Sequence, residues 1–372
     1  MAQPELYIGL MSGTSTDGVD AVLAGFSDPA PSLLGHVHLA FSAKLRAELL
    51  ALNRSGQDEL QRAYLCANQL ALCYAQASAR LLADCRTPAS AVRAMGAHGQ
   101  TVRHRPGELD GIGFTVQLLN GALLAERSGI DVVCDLRSRD VAAGGQGAPL
   151  VPAFHAGVFG QPGLVQAVLN LGGIGNLSLL DGAGGVRGFD CGPGNALLDL
   201  WCERHLGLPY DADGAWAATG QVLPTLLQHL AQEPFLHRAP PKSTGRDLFN
   251  TDWLTVQLAA TSASARPQDV QATLAEFTVL AVCQALQGHL PACSRLLVCG
   301  GGALNGQLMR RLAASLPGVT LLSTAAAGLP PMQVEAAAFA WLARAFVQRQ
   351  PGNLPAVTGA AGPRVLGALH PA

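Results

Sequence analysis

The stretch Ile8-Gly-Leu-Met-Ser-Gly-Thr-Ser-Thr-Asp-Gly-Val-Asp-Ala-Val-Leu23 decides how the rest of the chain is read. Apolar residues lead in at Tyr7-Ile8-Gly9-Leu10 and resume at Val19-Asp20-Ala21-Val22-Leu23, which predicts two strands. Between them, Ser12-Gly-Thr-Ser-Thr-Asp-Gly18 carries hydroxyls, glycines and an Asp-Gly pair of the kind that favours a tight hairpin. A turn so rich in N–H and hydroxyl donors can close over an oligophosphate. Taken alone it reads more simply as a polar turn, so the remaining chain must supply the reason to prefer a phosphate clamp.

The same order of elements returns near residue 165. Val165-Gln-Ala-Val-Leu-Asn-Leu171 predicts a strand, Gly172-Gly-Ile-Gly-Asn176 a glycine turn, and Leu177-Ser-Leu-Leu180 a second strand. A third strand starts at Val186-Arg-Gly-Phe189 and runs into Asp190-Cys-Gly-Pro-Gly-Asn195, with a helix predicted over residues 196–204. Because a strand and not a helix follows Gly172-Gly-Ile-Gly, this is no dinucleotide fingerprint; a second phosphate-holding hairpin makes better sense. Asp190 is expected at a strand end, where Gly192, Pro193 and Gly194 stiffen the turn and leave room beside the carboxylate. There it can accept a proton from an attacking hydroxyl or water. The competing reading is a helix N-cap, a task for which Asn195 lies nearer the helix start.

Between the hairpins, His36-Val-His-Leu-Ala-Phe41 predicts a third strand with alternating faces, and residues 43–85 are helical. The second helix there is expected to bury Leu65, Leu72, Ala75, Ala79 and Leu82 before Thr87-Pro88 breaks it. Val92-Arg-Ala-Met-Gly-Ala-His98 reads as a strand delivering Gly99-Gln-Thr-Val-Arg-His104 to an edge or loop; a helix over 118–128 and a strand at Ile130–Cys134 follow. Strands alternating with helices predict a partly parallel sheet. Asp135-Leu-Arg-Ser-Arg-Asp140-Val-Ala-Ala-Gly-Gly-Gln-Gly-Ala-Pro149 then places two carboxylates and two arginines after a strand end. These arginines are forks for a carboxylate or phosphate, or the charges pair with one another in a solvated loop.

Later in the chain, Pro240-Pro-Lys-Ser-Thr-Gly-Arg-Asp-Leu-Phe-Asn250 is a polar loop, read as a ligand edge or a helix connection. Residues 269–289 are helical, and Arg295-Leu-Leu-Val-Cys299 predicts a strand ending in Gly300-Gly-Gly302, where a phosphate or flat ligand can approach the backbone. Glu335 opens a last helix, either favouring its N-terminus or pointing into a cleft.

Composition narrows the field. In 372 residues, charged side chains make up 13% and hydrophobic ones 49%, so the length suggests two domains with generous interiors. A formal charge of −2 without basic runs argues against a nucleic-acid partner. The nine cysteines are scattered and never form Cys-x-x-Cys, as expected of buried thiols in a reducing compartment. His98 and His104 match no common zinc spacing. With no secretory leader pattern and no apolar run of spanning length, a soluble cytoplasmic protein is expected.

Segments spread from residue 9 to residue 341 carry a family resemblance. They are Gly9-Leu-Met-Ser-Gly-Thr-Ser-Thr-Asp-Gly-Val-Asp20, Ala97-His-Gly-Gln-Thr-Val102, residues 135–152 and Asn170-Leu-Gly-Gly-Ile-Gly-Asn176. Phe189-Asp-Cys-Gly-Pro-Gly-Asn195, Lys242-Ser-Thr-Gly-Arg-Asp-Leu-Phe-Asn250, Cys299-Gly-Gly-Gly302 and Glu335-Ala-Ala-Ala-Phe-Ala-Trp341 complete the set. The chain resembles the anhydro-N-acetylmuramic acid kinases, within the sugar kinase, Hsp70 and actin superfamily.

The resemblance implies an α/β protein with a two-domain actin-like ATPase (ribonuclease H-like) fold, its mixed sheets flanked by helices around a cleft. The domains are expected at 1–150 and 151–372, with the last helices packing back on the first. The implied reaction opens 1,6-anhydro-N-acetylmuramic acid with water and phosphorylates O6 from ATP, giving N-acetylmuramic acid 6-phosphate and ADP in peptidoglycan recycling. By the same carry-over Gly13, Thr14, Ser15, Thr16, Asp17, Gly18, Val19 and Asp20 hold ATP phosphates, faced by Gly172 and Gly173. Gly300, Gly301 and Gly302 border the adenosine, and Asp190 is the base.

Mg²⁺ is expected on the phosphates. The superfamily carries an Asp where this chain has Met11, which leaves Asp17 and Asp20 as the metal-side candidates. From residue type, Arg137 suits the lactyl carboxylate, and Gln100 and Glu335 suit sugar contacts. A homodimer is the family expectation. A kinase of an already open sugar or acid, and a regulatory protein of the actin/Hsp70 type, are the other readings.

Overall fold

The computed structural model describes residues 4–13, 15–27, 31–245, 248–261 and 264–372. They form two compact units, one of residues 1–159 with 333–372 and the other of residues 160–332.

In the first unit β1 (Glu5–Met11), β2 (Gly18–Phe26) and β3 (Ser32–Ala40) make an antiparallel meander. On its other side β1 pairs in parallel with β4 (Val92–Ala97). The next stretch, expected as an edge or loop, is instead a two-stranded ribbon of β5 (Gln100–Pro106) and β6 (Gly113–Leu118). Parallel to β4 runs β7 (Val132–Cys134), and the C-terminal strand Ala368–His370 pairs antiparallel with β7.

Alternation along the strands sends Ile8, Leu10, Val19, Ala21 and Leu23 to one face, in a single core with Leu45, Leu49, Leu70, Tyr74 and Leu81. The last three come from helix Glu59–Asp84, which buries Cys66, Ala67, Leu70, Tyr74, Ala77 and Leu81. Its burial corrects the expected face in part: Leu82 is buried and Ala75 packs against the core, but Leu65 and Leu72 are 53% and 48% exposed. Gly9 and Gly96 take the opposite face. A Cβ there would stand 1.8 Å from Ala336 O and 1.9 Å from Phe339 O, so helix Val334–Val347 packs with its backbone directly on the sheet.

The second unit repeats the plan. An antiparallel meander of β8 (Gln166–Leu171), β9 (Ile174–Leu180) and β10 (Val186–Pro193) is extended in parallel from β8 by β11 (Arg295–Cys299) and β12 (Thr320–Ser323). Its order, β10-β9-β8-β11-β12, matches β3-β2-β1-β4-β7 in the first sheet. Directions agree as well, so both units have the ribonuclease H-like topology and the mixed α/β expectation holds. Helix Pro267–His289 is apolar on most sides and packs Leu274, Phe277, Val282 and Leu286 against Leu177, Leu179 and Phe189. All nine cysteines are free, and no helix among the described residues is long and apolar enough to cross a membrane.

Candidate active site

The loop between β1 and β2 is longer than a tight hairpin, and its Asp-Gly pair does not make the turn. Gly18 already belongs to β2, opposite Ala40, and a Cβ on it would meet Leu39 O at 2.5 Å. Thr16 supplies the left-handed residue (φ 54°), donating its N–H to Gly13 O. Thr14 lies outside the described residues.

Buried groups hold this loop from behind. The Ser12 hydroxyl donates to Gly99 O at 2.9 Å and, having one proton, accepts from Tyr74 OH at 2.6 Å. His98 Nδ1 lies 3.0 Å from Ser12 O, and Gln100 Nε2 donates to Gly13 O at 3.1 Å. Ile8–Asp20 and Ala97–Val102, two segments of the sequence reading, therefore meet. Gln100 is only 3% exposed, and its Oε1 has no hydrogen-bond partner.

Arg137 is reached through His98. Its Nε and Nη2 donate to His98 Nε2 at 3.2 and 2.9 Å, while Nη1 donates to Gly147 O at 2.8 Å. A guanidinium can only donate, so His98 accepts at Nε2 and carries its proton on Nδ1 toward Ser12 O. Burial, then the neighbouring Arg137 charge, push the imidazole down to about 3. Asp140 is fully buried and accepts from Asn353 (2.6 Å), Thr358 (2.8 Å) and the Gly147 N–H (2.8 Å). The picture of a solvated loop of mutual pairs therefore does not apply to Asp140, whose donors come from residues 147, 353 and 358.

The metal-side candidates differ. Asp20 faces β3, where His36 Nε2 (2.9 Å) and His38 Nδ1 (3.1 Å) both reach its Oδ1. Burial pushes its pKa up, but those two hydrogen bonds outweigh it and hold the carboxyl below its usual range. The bond to Asp20 raises His38. Sequence reading missed these histidines; their alternate spacing was visible, but their pairing with Asp20 depends on the β2–β3 register. Asp17 is exposed and accepts from Ser15 Oγ at 2.7 Å. Among the described residues no group of three or more His, Cys, Asp or Glu is arranged to hold a metal ion. Glu335 stands half-buried in the first turn of the helix that covers Gly9.

In the second unit, Asp190 lies inside β10, not at a strand end. It sits at a register shift, opposite Asn176, with the chain bulging before Gly192. The carboxylate is 8% exposed; Thr244 N–H donates to its Oδ2 at 2.9 Å, and its own N–H bonds Lys242 O at 3.2 Å. Lys242 is no ligand edge: its ammonium is buried, donating to Phe235 O and Leu236 O and lying 4.8 Å from the Phe235 ring centre. Burial lowers it. Arg246 and Asp247 of the same segment are outside the described residues.

The glycine turns of this unit also converge. Gly172 O and Gly173 O accept N–H groups of Gly194, Asn195 and Ala196, tying the start of helix Ala196–Leu206 to the β8–β9 turn. Asn195 stands at the cap position but caps nothing with its side chain, which donates to Leu171 O at 2.9 Å instead. Gly300 (φ 78°) lies so close to Asn170 and Leu171 that a Cβ would stand 2.5 Å from Asn170 Oδ1, and Gly301 approaches Asn195. Asn170 Oδ1 is buried with no hydrogen-bond partner. One further short helical turn, Gly301–Leu304, precedes helix Gly306–Ser315.

Duplicated sheets of one topology, each with a glycine-bearing loop after its first strand and one with a carboxylate beside such a turn, define a phosphotransferase of the sugar kinase type. The family model of anhydro-N-acetylmuramic acid kinase matches residues 5–372. A protein of that name from Variovorax paradoxus is 60% identical across 99% of both chains, and one from Cupriavidus pinatubonensis 55% identical across 100% of this chain and 99% of its own. The chain belongs to the anhydro-N-acetylmuramic acid kinase family. Likeness to solved structures is fainter: a Clostridium difficile activator of 2-hydroxyisocaproyl-CoA dehydratase, with bound ADPNP, is 10% identical with a TM-score of 0.48 over 92% of this chain and 96% of that one. As a member of that kinase family the chain uses ATP and an alcohol acceptor, and anhydro-N-acetylmuramic acid is that acceptor.

Proposed function

We propose that Asp190 is the general base of a coupled ring opening and phosphorylation. Its carboxylate takes a proton from water as the oxygen attacks C1 of the 1,6-anhydro sugar. The C1–O6 bond breaks, O6 attacks the γ-phosphorus of ATP, and the bond from that phosphorus to the β–γ bridging oxygen breaks. N-acetylmuramic acid 6-phosphate and ADP leave. The observation that carries the assignment is a buried carboxylate at a strand bulge, kept in place by Thr244 N–H on Oδ2.

Other roles follow from the two sets of residues taken separately. Gly13, Ser15, Thr16, Asp17, Gly18, Val19 and Asp20 receive phosphate oxygens in the first unit, on a loop fixed by Tyr74, His98 and Gln100. Gly172, Gly173 and Gly300 to Gly302 serve the nucleotide in the second. Arg137 meets the lactyl carboxylate, and Gln100 Oε1 and Glu335 meet the sugar. Mg²⁺, held mostly by phosphate oxygens, would neutralise charge there; Asp17 suits it better than Asp20, whose Oδ1 is committed to two imidazoles. A cytoplasmic homodimer working in peptidoglycan recycling completes the reading.

Two measurements test it. Asp190→Asn should lower kcat on the order of a thousandfold while ATP still binds; near-normal turnover removes the base assignment. With ATP, Mg²⁺ and the anhydro sugar in ¹⁸O-water, label should appear at C1 of the phosphorylated product. Unlabelled product would mean phosphorylation without ring opening.

A further inference from the structure

The two hydrogen-bond donors on Asp140 Oδ1 come from residues more than two hundred positions away in the chain. Asn353 Nδ2 and Thr358 Oγ1 both donate to that oxygen, and the Gly147 N–H donates to Oδ2. The same residue, Gly147, offers its carbonyl to Arg137 Nη1. Backbone bonds lace the two segments further, from Gln146 N–H to Thr358 O at 2.7 Å and from Ala361 N–H to Ala143 O at 2.8 Å. Asp140 is fully buried and Asn353 and Thr358 are 3% and 1% exposed, so none of the three reaches a ligand directly.

A buried carboxylate is costly unless its lone pairs are satisfied. Once satisfied, it fixes whatever its donors belong to. Here it fixes the Gly147 N–H, while the Gln146 N–H is fixed on Thr358 O, so both anchors act on the residue whose carbonyl meets Arg137. The guanidinium of Arg137 is then held at both ends, by Gly147 O and by His98 Nε2, with its plane defined.

We infer that Asp140, Asn353 and Thr358 are positioning residues for the Arg137 fork, so that residues 353–358 tune affinity for the acidic sugar. The inference rests on the proposed role of Arg137 toward the lactyl carboxylate. Removing the Thr358 hydroxyl leaves one donor fewer on Asp140 Oδ1 and loosens its hold on Gly147, the residue whose carbonyl meets Arg137. Sugar binding should suffer through Arg137, while the loop of residues 12–18 keeps its bonds to Tyr74 and Gln100.

The test is a double-mutant cycle on the full chain. Thr358→Val, close in volume but without the hydroxyl, should raise KM for the anhydro sugar roughly tenfold and leave KM for ATP unchanged; Thr358→Ser should restore it. In an Arg137→Ala background, Thr358→Val should add nothing. If Arg137→Ala raises the sugar KM but Thr358→Val still adds its full effect, or if sugar and ATP constants move together, the positioning role is overturned and the Arg137 reading survives. If Arg137→Ala leaves the sugar KM unchanged, both fall. Should Thr358→Val not fold, Asn353→Ala, which removes the other donor on Asp140 Oδ1, reads the same coupling in the same cycle, and additivity there overturns the role equally.

Discussion

His98 shows how much one buried side chain can settle. It receives Arg137 on one nitrogen and reaches Ser12 O with the other, and its ring lies 4.9 Å from that of Phe339. Such an imidazole stays neutral. In the unfolded chain it titrates near 6.5, in the folded one near 3, so between those values only the unfolded chain binds the proton. Stability therefore falls as pH drops through this window, by about 1.4 kcal/mol per pH unit. His104, lowered to about 4 by burial and then by Arg137, adds in the same direction. Urea unfolding from pH 7 to pH 4 should show this loss, and His98→Gln, which can keep both hydrogen bonds, should reduce the slope by roughly one proton. An unchanged slope in that variant would mean that His98 is not the titrating group. Asp190 could be picked out from its glycines and proline alone. Its contacts could not, because Thr244 lies 54 positions along the chain, and Asp140 finds its donors 213 and 218 positions away. Composition and spacing carry no information about which distant donor will meet a carboxylate.

Strands were the easier elements to read and helix faces the harder. Both hairpins, β4, β7 and β11 stand where alternation and apolar runs put them, because a pleated strand has only two faces. Helix Glu59–Asp84 has apolar and small residues all round, and the face expected from Leu65 and Leu72 is the exposed one. What decides is the sheet: Tyr74 must reach Ser12, and that contact turns Leu70, Ala77 and Leu81 inward with it. Leu72→Gln should accordingly change stability by less than about 0.5 kcal/mol, whereas Leu70→Ala should cost about 2–5 kcal/mol. Matching urea midpoints for the two variants would contradict the observed face. Gly96 makes the same argument from the other side of the sheet. Ala there would drive a methyl into Phe339 O, and Gly96→Ala should cost at least as much as overpacking usually does, about 1–3 kcal/mol, with a lowered Tm as the readout.

At the scale of the molecule the repeated element order is a repeated topology, and the two copies are unequal in how they are completed. The core of residues 160–332 draws its buried members from Ala167 to Leu316, within one continuous stretch of chain. The first unit is discontinuous. Its sheet face at Gly9 and Gly96 is covered by helix Val334–Val347, its edge at β7 is paired by Ala368–His370, and Asp140 takes both side-chain donors from residues 353 and 358. A chain of residues 1–159 alone would expose that face and leave a buried carboxylate short of donors, at a cost of several kcal/mol. Residues 160–332 should therefore fold when produced alone, with a cooperative urea transition. Residues 1–159 should not, and joining them to 333–372 through a flexible glycine-serine linker should restore cooperative unfolding. If 1–159 unfolds as cooperatively without the C-terminal segment as with it, that segment is dispensable to the fold. The Thr358 coupling would then have to be explained without a structural role for the chain that carries it.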